Sequence, residues 1–190
     1  TEWLKKGIFY AEPGTLSEDA VSVTALDSMT KFDKSYTESK LQYPATLGQI
    51  VRDACSICDV SMSADIASFS RSNFVVTTRP SDTSLTFRQI LQYAGEIACL
   101  FFKINEDDKL TASWYNTSLL ESENIKENAH KVKDYTGTIE TDDVVVTGVK
   151  VVEENASDSD TEKSETEYLY GAKGYVLEIK ENKLIQDGKG

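Results

Sequence analysis

The chain has 190 residues, 39% hydrophobic and 9% aromatic, which suits one sizeable globular domain or two small ones. A formal net charge of −12 and an isoelectric point near 4.6 argue against nucleic-acid or anionic-membrane binding, since phosphate contacts need a basic stripe. The longest apolar run, Ile97 to Phe102, is far short of a membrane span, and no charged-then-apolar leader is present.

Thr1 in place of Met, and the Asp187-Gly188-Lys189-Gly190 end, read as the ends of an excised piece or of an intracellular chain. Near the start, Gly7-Ile8-Phe9-Tyr10-Ala11 is a short apolar run and Glu12-Pro13-Gly14-Thr15 supplies a turn. Val21, Val23, Ala25 and Leu26 then alternate with Ser22 and Thr24, the period of a half-buried strand, so a hairpin is predicted. Asp27 or Ser28 is placed to cap one helical turn through Phe32. Residues 33 to 44 are polar and are read as a crossing between substructures.

Two helices with nearly the same script follow, over about 46–58 and 86–98. Each opens T-x-x-Q, with Thr46 and Gln49 in the first and Thr86 and Gln89 in the second, the signature of a capping box. Leu47, Ile50, Val51, Ala54, Ile57 and Cys58 recur at helical spacing, as do Phe87, Ile90, Leu91, Ala94, Ile97 and Ala98. Two such one-sided helices imply one shared core. Between them, Val60-Ser61-Met62 is an extended piece, Ile66 and Phe69 are anchors in a Ser-rich stretch, and Phe74 to Thr77 is a β-branched strand. Leu100 to Ile104 and Leu110 to Tyr115 are strands around the turn formers Asn105 to Asp108, forming a second hairpin.

Residues 116–133 read as an irregular charged segment. Tyr135 to Ile139 and Val144 to Val152 are strands, the latter long and central. Glu153 to Glu167 is acidic, rich in Ser and Thr and without aromatics, and is expected to be a floppy loop. Tyr168 to Tyr170 and Tyr175 to Ile179 are strands, the last with Tyr175, Leu177 and Ile179 opposed to a wetter face. The predicted class is α+β: a discontinuous β-barrel-like domain, residues 1–33 plus 134–190, carrying an inserted α/β lobe, residues 34–133, with the two capped amphipathic helices.

Chemistry-bearing patterns are sparse, and no catalytic, cofactor-binding or metal residue is assigned. There is no H-E-x-x-H, G-x-S-x-G, P-loop or Gly-rich dinucleotide turn. Cys55 and Cys58 spell C-x-x-C, yet Cys55 lies deep in its helix rather than at the N-terminus where the dipole would lower its pKa. With Cys99 they are read as buried, inert thiols. The single His, His130, stands among Glu127, Lys131 and Lys133 and reads as part of a solvated face. Asp158 to Glu162 resembles half a calcium loop but lacks its Gly and closing Glu. Asn116 and Asn155 begin N-x-S/T triplets that this composition produces by chance.

Several blocks resemble those of the tail hub and tail-associated proteins of phages and prophages infecting Gram-positive bacteria. Val23-Thr24-Ala25-Leu26-Asp27-Ser28-Met29-Thr30-Lys31-Phe32-Asp33-Lys34-Ser35-Tyr36 is similar to that family's T-A-Y-D-x-M-x-K-F-D-K-x-Y. Tyr43 to Ile50 resembles its Y-P-x-T-L-x-x-I-L, and Leu85 to Leu91 with Tyr93-Ala94 its L-T-x-R-Q-x-L-x-Y-I-A. Asp108-Lys109-Leu110 resembles its D-G-K-L turn with Asp in place of Gly, and Gly174 to Ile185 its G-Y-x-I-x-x-x-N-P-L-I, with Lys183 where Pro is usual. The blocks keep the family's order over most of the chain.

The resemblance implies a structural role at the virion tail tip, assembled in the bacterial host cytoplasm, without enzymatic activity or cofactor in this stretch. Implied partners are two further copies in a homotrimeric ring and neighbouring tail proteins. DNA would pass through the ring without specific binding, which an acidic wall suits by repelling phosphates; acidity also simply keeps proteins soluble. The alternatives are a cell-surface or carbohydrate-binding module, or the non-catalytic part of a tail-associated cell-wall hydrolase. A sugar site would need exposed aromatics, and Trp3 and Trp114 are the candidates, although Trp114 alternates within its strand like a core residue.

Overall fold

The computed structural model describes residues 5–16, 20–114, 146–154, 165–171 and 175–186. Mixed helices and small sheets make it α+β, as expected. The first segment is an antiparallel hairpin built from two short ladders. The strand β1 (Tyr10–Ala11) pairs with β4 (Ala25–Leu26), and β2 (Thr15–Leu16) with β3 (Val21–Ser22). Asp27 then caps a 3-10 helix, Ser28–Asp33, its carboxylate accepting the Met29 amide.

Helices α1 (Leu47–Cys58) and α2 (Phe87–Ala98) fall where the spacing placed them. In each, the Thr side chain accepts the Gln amide N–H while the Gln carboxamide accepts the Thr amide, so both capping boxes close. Their apolar stripes, including Leu47, Ile50 and Val51 on one and Phe87, Ile90 and Leu91 on the other, are buried in one cluster. Each helix stops the same way, with a non-glycine residue in the left-handed region: Asp59 at φ 52° and Cys99 at φ 54°.

Around the helices, β5 (Ala45–Thr46) pairs with β7 (Val75–Val76). Beside it β6 (Ser61–Met62) runs parallel to β9 (Lys109–Ser113), which pairs antiparallel with β8 (Phe101–Ile104). Ile66 and Phe69 are buried, and the Phe69 ring meets Phe102 edge to face at 5.6 Å. The segment read as a polar crossing is tied down. Tyr36 is buried edge-on against Phe87 at 5.2 Å, and Arg79 donates to the Tyr36 and Ser39 carbonyls at 2.7 Å each while its guanidinium lies over the Tyr36 ring.

In the C-terminal part β10 (Val146–Glu154) is central, flanked by antiparallel β11 (Glu165–Gly171) and parallel β12 (Tyr175–Ile179). Strand pairing therefore takes both ends of the stretch expected to be a floppy loop, with Glu153 opposite Thr166 and Glu154 opposite Glu165. The middle of that stretch, and the strand expected at 135–139, lie outside the described residues. After β12 the chain doubles back onto α2: Asn182 donates to the Tyr93 carbonyl and the Glu96 carboxylate, and Leu184 is fully buried. Phe32, Val151, Leu184 and Ile185 thus join the same cluster as α1 and α2, so packing runs across the sequence boundaries at 33/34 and 133/134.

Candidate interaction surfaces

Two uncovered apolar surfaces stand out. The first is the N-terminal hairpin. Between Gly7 and Leu26 its described residues carry one charge, Glu12, and Ile8, Phe9, Tyr10, Leu16, Val21, Val23 and Leu26 are all exposed. Exposure is greatest at the outer ladder, 83% for Leu16 and 67% for its strand partner Val21. Each of these side chains is left uncovered by the described residues, and exposed apolar side chains gathered on one short ribbon are uncommon on a soluble monomer.

The hairpin is fixed at its base rather than along its length. Lys5 Nζ lies 2.6 Å from Asp107 Oδ1, the Tyr10 hydroxyl donates to Asp108 Oδ2 at 2.7 Å, and Lys31 sits over the Tyr10 ring. Lys5 holds the Asp107 carboxyl below the usual carboxylate range by hydrogen bond and charge. Glu12, Pro13 and Gly14 separate β1 from β2, so the outer ladder follows the anchored inner one after a three-residue break.

The second surface is a groove of about 760 Å³ between α2, the start of β8 and the face of β12. Leu91, Leu100, Phe101, Trp114, Leu177 and Ile179 give it apolar walls. Strand register sets the last two on the same face of the sheet as Val149 and Val151, while the opposite face is charged, with Lys150 Nζ 2.6 Å from Glu167 and 2.9 Å from Glu178. Leu177 is half exposed and Trp114 is 65% exposed. The reading of Trp114 as a core residue is thereby corrected: β9 ends at Ser113, so the side chain leaves the ladder at the rim of the groove.

Burial pushes the Cys55 thiol up to about 12 and the Cys58 thiol up to about 11, so both stay protonated and unreactive at neutral pH. Cys99 departs from the expectation of a buried thiol: it is exposed, because the left-handed cap turns it out of α2 onto the groove wall. Trp3, His130, Asp158 to Glu162, Asn116 and Asn155 lie outside the described residues. Among the described residues no cluster of three or more His, Cys, Asp or Glu side chains is placed to hold a metal, and no helix is long and apolar enough to cross a membrane.

No family model matches the chain, and comparison with curated proteins and with solved structures finds no match either. The signal for the hairpin surface in the sequence is the run of apolar residues Ile8, Phe9 and Tyr10 followed by Leu16, Val21 and Val23, with no Lys or Arg from Gly7 to Leu26. For the groove there was none, since its walls come from five separated segments, at Met29, Arg88 to Phe102, Trp114, Val149 and Leu177 to Lys180.

Proposed function

We propose that this chain is a structural component of a phage tail-tip hub that joins the tail tube to the host-recognition apparatus through protein–protein contacts. The observation that carries the reading is the hairpin's row of exposed apolar side chains, Ile8, Phe9, Tyr10, Leu16, Val21, Val23 and Leu26, which the described residues leave uncovered. The blocks that resemble hub proteins support it from the fold side. Their residues form the capped turn at Asp27, the buried Phe32 and Tyr36, both capping boxes, and the Asn182 to Ile185 return onto α2. In this reading the two terminal β-rich parts belong to a barrel-like domain completed in the assembled ring, with residues 34–133 as its inserted lobe. The full-length protein is a homotrimer whose acidic wall lets DNA pass.

Antibodies raised against the chain test this directly. Applied to phage particles released from the strain that encodes it, they are expected to label the tail tip; particles labelled nowhere overturn the proposal. Light scattering on the full-length protein is expected to give the mass of three chains, and a stable monomer counts against a ring. The exposed Trp114 beside an apolar groove favours a second reading, a carbohydrate-binding module, for which a glycan array returning a specific hit abolished by Trp114→Ala is the deciding result.

A further inference from the structure

We propose that the cleft beside Arg79 is a binding site for a single carboxylate group. Its volume is about 310 Å³, room for a small acid or the end of a chain, and its walls are Tyr36, Thr37 and the run from Arg79 to Thr83. The sequence prepares the cation locally. Pro80 is buried and restricts Arg79 before it to extended backbone. The guanidinium then donates to the Tyr36 and Ser39 carbonyls at 2.7 Å each and lies 5.1 Å from the centre of the Tyr36 ring. Its side-chain freedom is therefore spent on folding, before any ligand arrives.

The charge so placed is oriented but not cancelled. Both acceptors are neutral carbonyls, they use two of the five N–H donors of the guanidinium, and no carboxylate among the described residues pairs with it. This holds in a chain with 32 acidic and 20 basic residues. Neighbouring acids hold other donors. Asp53 accepts from the Ser39 hydroxyl at 2.6 Å, and Asp82, in the cleft wall, accepts the Ser84 amide and hydroxyl at 2.8 and 2.7 Å. Along the same wall, the hydroxyls of Ser81 and Thr83 and the amides of Ser81, Asp82 and Thr83 have no acceptor among the described residues. A guanidinium without a counter-ion, beside spare hydroxyl and amide donors, is a donor set for an oxyanion. Charge selects which one. A single cation balances a single negative charge, and the Ser84 hydrogen bonds keep Asp82 ionised, so a phosphate dianion would be repelled by the wall and by a chain carrying −12. A carboxylate matches both the charge and the planar fork.

The whole chain is titrated with sodium acetate at fixed ionic strength, in a buffer free of carboxylate and phosphate, and followed by nitrogen-15 NMR. Saturable shifts are expected at the Arg79 Nε–H signal and at the amides of Ser81, Asp82 and Thr83. Absence of saturation, or saturable shifts elsewhere and not at these signals, overturns the site. Phosphate binding as tightly as acetate overturns it as well. Two further probes separate the sources of the carboxylate. N-acetylated trialanine with a free C-terminus binding more tightly than acetate assigns the cleft to a chain end, and equal or weaker binding assigns it to a small free acid. The same peptide amidated is expected not to bind, and binding as tight as that of its acid overturns the proposal. Arg79→Lys keeps the charge and loses the fork, so acetate should bind roughly tenfold more weakly with unchanged circular dichroism. Should that variant lose its fold along with the Tyr36 and Ser39 contacts, Ser81→Ala with Thr83→Val, both at exposed positions, should weaken acetate about threefold at an unmoved melting midpoint. A folded variant of either kind that binds like the parent overturns the proposal.

Discussion

The helical lobe and the N-terminal hairpin draw on the same residue types and end in opposite states. In the lobe, Phe32, Leu47, Ile50, Phe87 and Ile90 are fully buried, both helix starts are capped, and Arg79 and Asn182 bind backbone carbonyls across long sequence separations. In the hairpin, Ile8, Phe9, Leu16, Val21 and Val23 are all exposed. Hydrophobic burial is the main favourable term in folding, so the lobe carries most of the stability of the described residues while the hairpin's apolar area contributes little. What separates them is layering: helices packed on sheets close a core, and a lone ribbon has no second layer.

The strongest test of that contrast pairs one substitution from each region. Phe87→Ala is expected to cost about 3–5 kcal/mol, because it empties a fully buried site and removes the edge-to-face contact with Tyr36. Leu16→Ala in dilute solution is expected to change stability by no more than about 0.5 kcal/mol. Urea denaturation of both, read at the midpoint with the slope checked, decides it. Equal losses would mean that the hairpin belongs to the folding core.

Next in size is Gly95→Ala. A Cβ there would stand 2.6 Å from the Leu100 carbonyl oxygen, where α2 turns into β8 and Leu100 donates its amide back to Gly95. Backbone cannot give way cheaply, so about 1–3 kcal/mol should be lost despite the better helix propensity of Ala. Gly48→Ala, with its nearest neighbour at 3.2 Å, should cost less. The helices share a script but not a clearance, and the same urea midpoints measure the difference.

High pH should also separate the regions. Cys55 and Cys58 are buried neutral with pKa values raised to about 12 and about 11, from an ordinary value of 9.0. The unfolded chain therefore loses these protons first, and their contribution to stability is full below about pH 9 and declines as pH rises toward 12. Thermal melts from pH 8 to 11 are expected to show a falling midpoint, with a shallower slope in Cys55→Ala. The exposed thiol Cys99 should react promptly with a thiol reagent in the native state while the other two wait for opening.

Local rules reached most of the lobe and little of its wiring. The capping boxes and apolar stripes of α1 and α2, the hairpin around Asn105 to Asp108 and the central β10 follow from spacing and turn chemistry, which are properties of neighbouring residues. The clamp from Arg79 to the Tyr36 and Ser39 carbonyls does not, because it joins residues forty positions apart through backbone acceptors that every residue type offers. Asn182 is the same case, its partners lying on α2. Trp114 was misplaced by extending strand alternation one residue past the end of its ladder. The hairpin's strands were legible and its exposure was not, since alternation assumes a core that none of the described residues brings to it.

The smallest effect belongs to the helix ends. Asp59 and Cys99 both occupy the left-handed region, at φ 52° and 54°, where a Cβ crowds the following carbonyl at a cost of about 1 kcal/mol and glycine is free of strain. Replacing either by Gly relieves that crowding but also loosens the unfolded chain, so the net gain should be a few tenths of a kcal/mol. The backbone bonds survive the change: the amide at 59 still donates to the Cys55 carbonyl, and the carbonyl at 59 still accepts Lys31 Nζ. Asp59→Gly should therefore raise the melting midpoint slightly. Cys99→Gly should raise it by a similar amount, so equal shifts in the two variants would trace the gain to the left-handed caps and not to the surroundings of either side chain.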